Sequence, residues 1–203
     1  MSTVPSRLLA AAASLFAERG YEGASVRAIC AAAETNINAV TYHFGGKKGL
    51  YAAVIQGVGE RRLASAQRIL TTTARTLPEF ETRLAMFAEE TLASWMEEPA
   101  VLKILFAELQ QGFRNCGPEA LAALGEQSRV LVAFLRDGQA AGLLREDVDV
   151  EIVAGALLER LNGQVLYADG VQSQHGTSIV DDAYREHWVR QTIGLLLRGA
   201  AAS

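Results

Sequence analysis

The sequence predicts an all-α protein, built as a module of short N-terminal helices followed by a bundle of longer ones. Apolar residues recur three and four positions apart along nearly the whole chain, whereas runs that alternate in twos are scarce. Glycine, proline and capping Ser/Thr residues also fall where helices of ordinary length would begin and end.

The first helix is expected over residues 5–19: Pro5 suits a first turn, Leu8, Leu9, Ala12, Leu15 and Phe16 share one face, and Gly20 is the stop. Ser25 is placed to cap a second helix that turns Val26, Ile29, Cys30 and Ala33 inward. Glu34, Thr35 and Asn36 form a short polar break before a third helix over 37–44, and Gly45 and Gly46 interrupt the chain again. A long fourth helix runs from Lys47 to about residue 72, where a Thr-rich stretch and Pro78 close the front module. Further helices are expected over 78–96, 100–113, 118–141, 149–169 and 181–199, with a Gly/Ser/Gln-rich loop at 170–180. The reading therefore divides the chain into a domain of residues 1–50, a linking helix of about 47–72, and a body of residues 73–203.

Half of the 203 residues are hydrophobic, ample for a core. The apolar run from Leu8 to Ala17 is too short and too alanine-rich to span a bilayer or form a signal core. Two cysteines imply no disulfide framework, so a reducing cytoplasm is the expected location, and no cofactor or metal is implied. The net charge of −4 conceals a split. Residues 1–75 hold nine Lys/Arg against four Asp/Glu, a net +5, and the remainder holds ten against nineteen, a net −9. A basic front end on an acidic body excludes a general nucleic-acid coat and suits a chain in which one module alone meets phosphate.

Residues 25–44 carry the most specific pattern. Two short helices joined by a tight turn can hold the second proud of the surface, where it fits a major groove about 12 Å wide. Ile29, Val40 and Phe44 are spaced to lock this pair onto Phe16, which leaves Asn38, Ala39, Tyr42 and His43 facing outward. Amide and phenol groups can read base edges, and Ala39 can pack on a thymine methyl.

The stretch Leu15-Phe16-Ala17-Glu18-Arg19-Gly20-Tyr21-Glu22-Gly23-Ala24-Ser25-Val26-Arg27-Ala28-Ile29 resembles the opening of tetracycline-repressor (TetR) family regulators. Thr41-Tyr42-His43-Phe44-Gly45-Gly46-Lys47-Lys48-Gly49-Leu50-Tyr51 resembles the end of their recognition helix and the start of helix 4. The resemblance covers about the first fifty residues. It implies a DNA-binding transcriptional regulator, a repressor released from a palindromic operator by a small-molecule ligand. Asn38, Ala39 and Tyr42 then face bases, and Arg27 reaches a base or phosphate. Thr41 and His43 meet the backbone, Lys47 and Lys48 lie at a helix N-terminus that favours phosphate, and Asn36 in the turn completes the set. One position departs from the family's pattern: the turn usually carries glycine where this chain has Glu34.

For the body, the resemblance implies a ligand pocket within a helical bundle and a homodimer formed through the last two helices. Phe87, Trp95, Phe106, Phe113 and Phe134 offer the apolar wall of a pocket, and Arg83, Glu90 and Asn162 the polar groups that orient a ligand. A filled core would use the same aromatics, and ordinary helix-surface salt bridges the same charges. Residues 152–167 and 188–197 are apolar on more than one side, which places Leu157, Leu161, Val165, Trp188 and Leu196 in a two-fold interface.

Two other classes fit less of the sequence. A hydrolase would need a nucleophile or metal constellation, yet His43, His175 and His187 lie apart, and Asp181, Asp182 and His187 read as helix-start charges. Gly45-Gly46-Lys47-Lys48 lacks the glycine spacing and the following Ser/Thr of a phosphate loop. A helical protein-binding adaptor would separate from a DNA-binding regulator by the absence of salt-sensitive, sequence-specific DNA binding.

Overall fold

The computed structural model describes residues 3–200, and among them the only extended regular structure is helical. Ten helices follow in order: α1 Val4–Gly23, α2 Val26–Ala32, α3 Asn38–Phe44, α4 Lys47–Leu70, α5 Leu77–Glu97, α6 Pro99–Gln110, α7 Pro118–Ala140, α8 Val150–Leu166, α9 Ala168–His175 and α10 Asp182–Ala200. Among the described residues no helix is long and apolar enough to cross a membrane.

Local chemistry sets most of the ends. Thr3 caps α1, its hydroxyl oxygen accepting from the Ser6 amide. Gly20 breaks the regular turn at φ 70°, and a last irregular turn runs on to Gly23. Asp149 caps α8 by accepting from the amides of Glu151 and Ile152. The expected loop at 170–180 is corrected: the chain breaks at Tyr167, then forms α9 as far as Gly176 at φ 73°. The α9 helix buries no residue, so its backbone hydrogen bonds form without the apolar period that would have marked it.

The chain falls into two compact units, one of residues 3–61 with 98–124, the other of 62–97 with 125–200. In the first, α1 is the scaffold against which α2, α3 and α6 pack. Leu8, Ala12, Phe16, Ile29, Val40, Leu50, Ile55 and Leu102 are buried there. Segment 98–124 joins the helix-turn-helix because α6 lies along α1. In the second unit α5 packs against both α8 and α10, around a core that includes Phe80, Phe87, Leu92, Leu131, Phe134, Leu157, Leu161 and Ile193. The Phe80 and Phe134 rings stack at 4.6 Å, and Gly138 leaves the space for Phe80: a Cβ there would lie 2.5 Å from the ring.

Candidate nucleic-acid interface

Three anchors hold the α2–α3 pair. Ser25 accepts from the Ala28 amide at 3.1 Å and starts α2. Arg7 of α1 donates from Nε to the Ala33 carbonyl at 3.0 Å, tying the end of α2 to the scaffold. In the turn, Asn36 Oδ1 accepts from the Asn38 amide at 2.9 Å and its carbonyl from the Ala39 amide, which starts α3. Asn36 is thus an exposed capping residue, with part of its side chain committed to the turn. Glu34 takes φ 50°, a left-handed conformation that an L side chain adopts at a cost and glycine adopts freely.

At the far end Gly45 turns left-handed at φ 70°, its amide donating to the Thr41 carbonyl. Gly49 has no alternative: a Cβ there would stand 1.8 Å from the Phe44 carbonyl oxygen. The joint between α3 and α4 is therefore closed by backbone against backbone.

These constraints bury Val40, half-bury Phe44 and turn the opposite face of α3 outward. Asn38, Thr41, Tyr42 and His43 are exposed, Tyr42 at 84%, and Ala39 is half-buried between them and the scaffold. The Tyr42 and His43 rings meet edge to face at 4.8 Å. Arg27 of α2 and Lys48 at the start of α4 are exposed as well. Lys47 is engaged with its own module, since Nζ donates to the Glu22 carbonyl at 3.3 Å and lies 4.5 Å from the centre of the Tyr21 ring. The arrangement presents amide, phenol and imidazole groups along one turn-and-a-half of helix, with cations at the margin. That is the chemistry of base-edge readout flanked by phosphate contacts.

Behind the module lies a network that the sequence did not reveal. Phe16 and Tyr51 meet edge to face at 4.8 Å, as do Tyr21 and Tyr51 at 4.9 Å. The Tyr51 hydroxyl donates to Glu108 of α6, whose carboxylate also accepts from the backbone amide and side-chain Nδ2 of Asn115. Burial alone would push the Glu108 carboxyl up, but hydrogen bonds from Asn115 and Tyr51 outweigh it and hold the carboxyl below its ordinary value. The neighbouring Cys116 thiol is pushed up to about 12 by burial and by the Glu108 charge, which leaves it inert.

Comparison with known proteins agrees with this geometry. The profile of the bacterial regulatory proteins, tetR family, matches residues 8–54. The HTH-type transcriptional regulator UidR of Escherichia coli K12 is 26% identical over 163 residues, 78% of each chain. The chain is a DNA-binding transcriptional regulator whose residues 8–54 are similar to the tetR family. The HTH-type transcriptional repressor NicS of Pseudomonas putida is 29% identical over 143 residues, 70% of this chain and 66% of its own. The structure of the TetR-family regulator PfmR from Thermus thermophilus covers 95% of this chain with 97% of its own, at TM-score 0.72 and 25% identity. The ketosteroid transcriptional regulator KstR2 of Mycobacterium tuberculosis shares the fold at TM-score 0.74 and 20% identity, over 100% of this chain and 97% of its own.

In the second unit of this regulator, Trp95 is buried and donates from Nε1 to Asn162 Oδ1 at 2.7 Å. Phe87 and Phe134 are buried core residues. Arg83 donates to the Ile69 carbonyl and to Glu79, and borders an open cleft of about 520 Å³ with Met86, while Glu90 is held by Ser65 and Arg68. Phe106 and Phe113 belong to the first unit, so the structure does not group them with the other residues assigned to a pocket.

Leu157 and Leu161 also need correction as interface residues: both are buried in their own subunit's core, on the α8 face that includes Val150 and Ala154. Val165, Trp188 and Leu196 are half-buried, whereas Ile152, Tyr167 and Leu195 stand out at 70%, 69% and 60% exposure.

Proposed function

We propose that this regulator is a homodimeric transcriptional repressor that binds a two-fold symmetric operator through α3 and is released by a small-molecule effector held in its helical body. One observation carries the DNA-binding assignment: Asn38, Thr41, Tyr42 and His43 project together from a short helix whose two ends are fixed. Each subunit offers one such helix, so the site it reads repeats once per subunit, with half-sites about one helical turn apart. DNA binding is assigned to residues 1–50, with segment 98–124 packed as their support, and effector binding to the remainder of the 73–203 body. Repression is supported by the similarity to NicS, itself named a transcriptional repressor.

Pairing is supported by Ile152 on α8, Tyr167 beyond it and Leu195 on α10, large apolar side chains with no cover in the single subunit. Lys48, Arg27, Thr41 and His43 flank the bases, and Lys47 contributes its charge from the position fixed by Glu22 and Tyr21. The deciding experiment is selection of bound sequences from random duplex DNA by the full-length protein. A two-fold related motif, bound in a salt-sensitive way, is expected. Uniform binding of all sequences, or none, would overturn the reading and favour a protein-binding adaptor.

A further inference from the structure

The second unit carries a cation in its interior with no anion paired to it among the described residues. Arg62 of α4 is 5% exposed. Its Nε donates to Gln127 Oε1 of α7 at 2.8 Å, and Gln127 Nε2 donates in turn to Thr91 Oγ1 of α5 at 3.3 Å. The guanidinium lies over the Trp95 indole, its Cζ 3.8 Å from the ring. Trp95 is itself fixed by Asn162 of α8 at 2.7 Å. Four helices thus converge on one polar network, and each bears a buried apolar residue within one turn of it: Ala66, Leu92, Leu131 and Leu161.

Within that network Nη1 of Arg62 is buried and has no hydrogen-bond partner among the described residues. The contrast with the same helix is informative, because the exposed Arg61 and Arg68 each have a carboxylate, Glu98 and Glu90. Glu90, a potential counter-ion on α5, is instead occupied by Ser65 and Arg68. Burial lowers the Arg62 pKa to about 9, which still leaves the group charged at neutral pH. A neutral amide and a ring face offset only part of the desolvation of a full charge, and a buried donor left empty adds to the cost. Such a site is favourable when something brings the missing negative charge with it.

We propose that Arg62 is the anchor of the effector site and that the effector is an organic carboxylate. Its carboxylate lies against the free Nη1 edge of the guanidinium, where the planar fork matches two oxygens. Gln127 and Asn162 fix the orientation of Arg62 and Trp95. The remainder of the ligand is apolar or aromatic and takes its place among the core side chains. This inference rests on the reading of the chain as an effector-responsive regulator, but it is tested apart from DNA.

The probes are benzoate, phenylacetate and hexanoate, each titrated beside its neutral primary amide into the full-length protein by calorimetry. At least one carboxylate is expected to bind saturably, on the order of tenfold or more tighter than its amide. Arg62→Met should abolish that preference and Arg62→Lys should retain part of it, with circular dichroism reporting whether each variant is folded. If Arg62→Met fails to fold, the wild-type preference and its partial retention in Arg62→Lys decide the matter. No saturable binding by any of the three acids, equal binding of acid and amide, or an undiminished preference in folded Arg62→Met would overturn the proposal and leave Arg62 a structural residue. Anisotropy with the selected duplex, without any acid present, separately reports the regulator reading: lost DNA binding by wild type sinks that reading and not the carboxylate site.

Discussion

The phenol of Tyr51 donates a 2.7 Å hydrogen bond to Oε1 of Glu108, joining the first turns of α4 to the end of α6 inside the DNA-binding unit. Tyr51 is also the ring on which Phe16 and Tyr21 converge. One side chain therefore couples the aromatic floor beneath the helix-turn-helix to a buried carboxylate 57 residues away.

Removing that hydroxyl leaves Glu108 with Asn115 and the Cys116 thiol as donors. Tyr51→Phe is expected to cost about 1.5 to 3 kcal/mol, the range for a hydrogen bond to a charged group. The pH dependence carries a second signature. Because the folded Glu108 carboxyl titrates below its unfolded value, its contribution is present above the unfolded pKa and is lost as pH falls through the folded one. Thermal melts from neutral pH down to about pH 3 should show a steeper acid loss in wild type than in Tyr51→Phe. Parallel curves would mean that the carboxylate is not held by this bond.

Glu34→Gly is expected to stabilise the protein by about 0.5 to 1 kcal/mol, because it relieves a left-handed side-chain residue in a turn that must keep that conformation. It also removes a negative charge beside the recognition helix, so operator affinity should rise, more at low salt than at high. An unchanged or lowered melting temperature would show that the turn tolerates Glu34 without strain.

Punctuation explains what was legible in the sequence. Gly20, Ser25, Gly45 and Gly49 each perform a backbone task only a few residue types can perform, so the order of α1 to α4 and the outward face of α3 could be read directly. The body was less legible because its signals are tertiary. Arg62 sits in the same i, i+4 register as Val58 and Ala66, a position where an arginine is anomalous, but only the packed bundle shows that it lacks a counter-ion among the described residues. Leu157 and Leu161 were assigned to an interface because α8 is apolar around much of its circumference, a pattern that does not say which face is covered at home. The α9 helix has no buried face and so left no period to find.

The two kinds of contact on the DNA side should separate by mutation. Asn38→Ala and Tyr42→Ala are each expected to cost about 1 to 3 kcal/mol on the selected operator and to relax sequence preference. Lys48→Ala should weaken all sequences alike and reduce the salt slope by about one unit. Lys48 is a cleaner probe than Lys47, whose removal also breaks contacts with Glu22 and Tyr21. Identical behaviour of the two classes in salt titrations would refute the division of roles.

Subunit pairing offers a contrast between neighbouring positions. Ile152→Arg and Leu195→Arg place a charge on exposed apolar sites, so each subunit should stay folded while the dimer weakens. Leu161→Arg buries the same charge in the subunit's own apolar core, and should lower the melting temperature severely, whatever the oligomeric state. Light scattering across a dilution series, read beside circular dichroism, distinguishes these effects. Dimers unchanged in both exposed-site variants would move the interface away from this face of α8 and α10. A folded, stable Leu161→Arg with weakened pairing would instead restore that residue to the interface. Loss of pairing should also reduce operator affinity, because a single subunit engages one half-site and forgoes the tethered second contact.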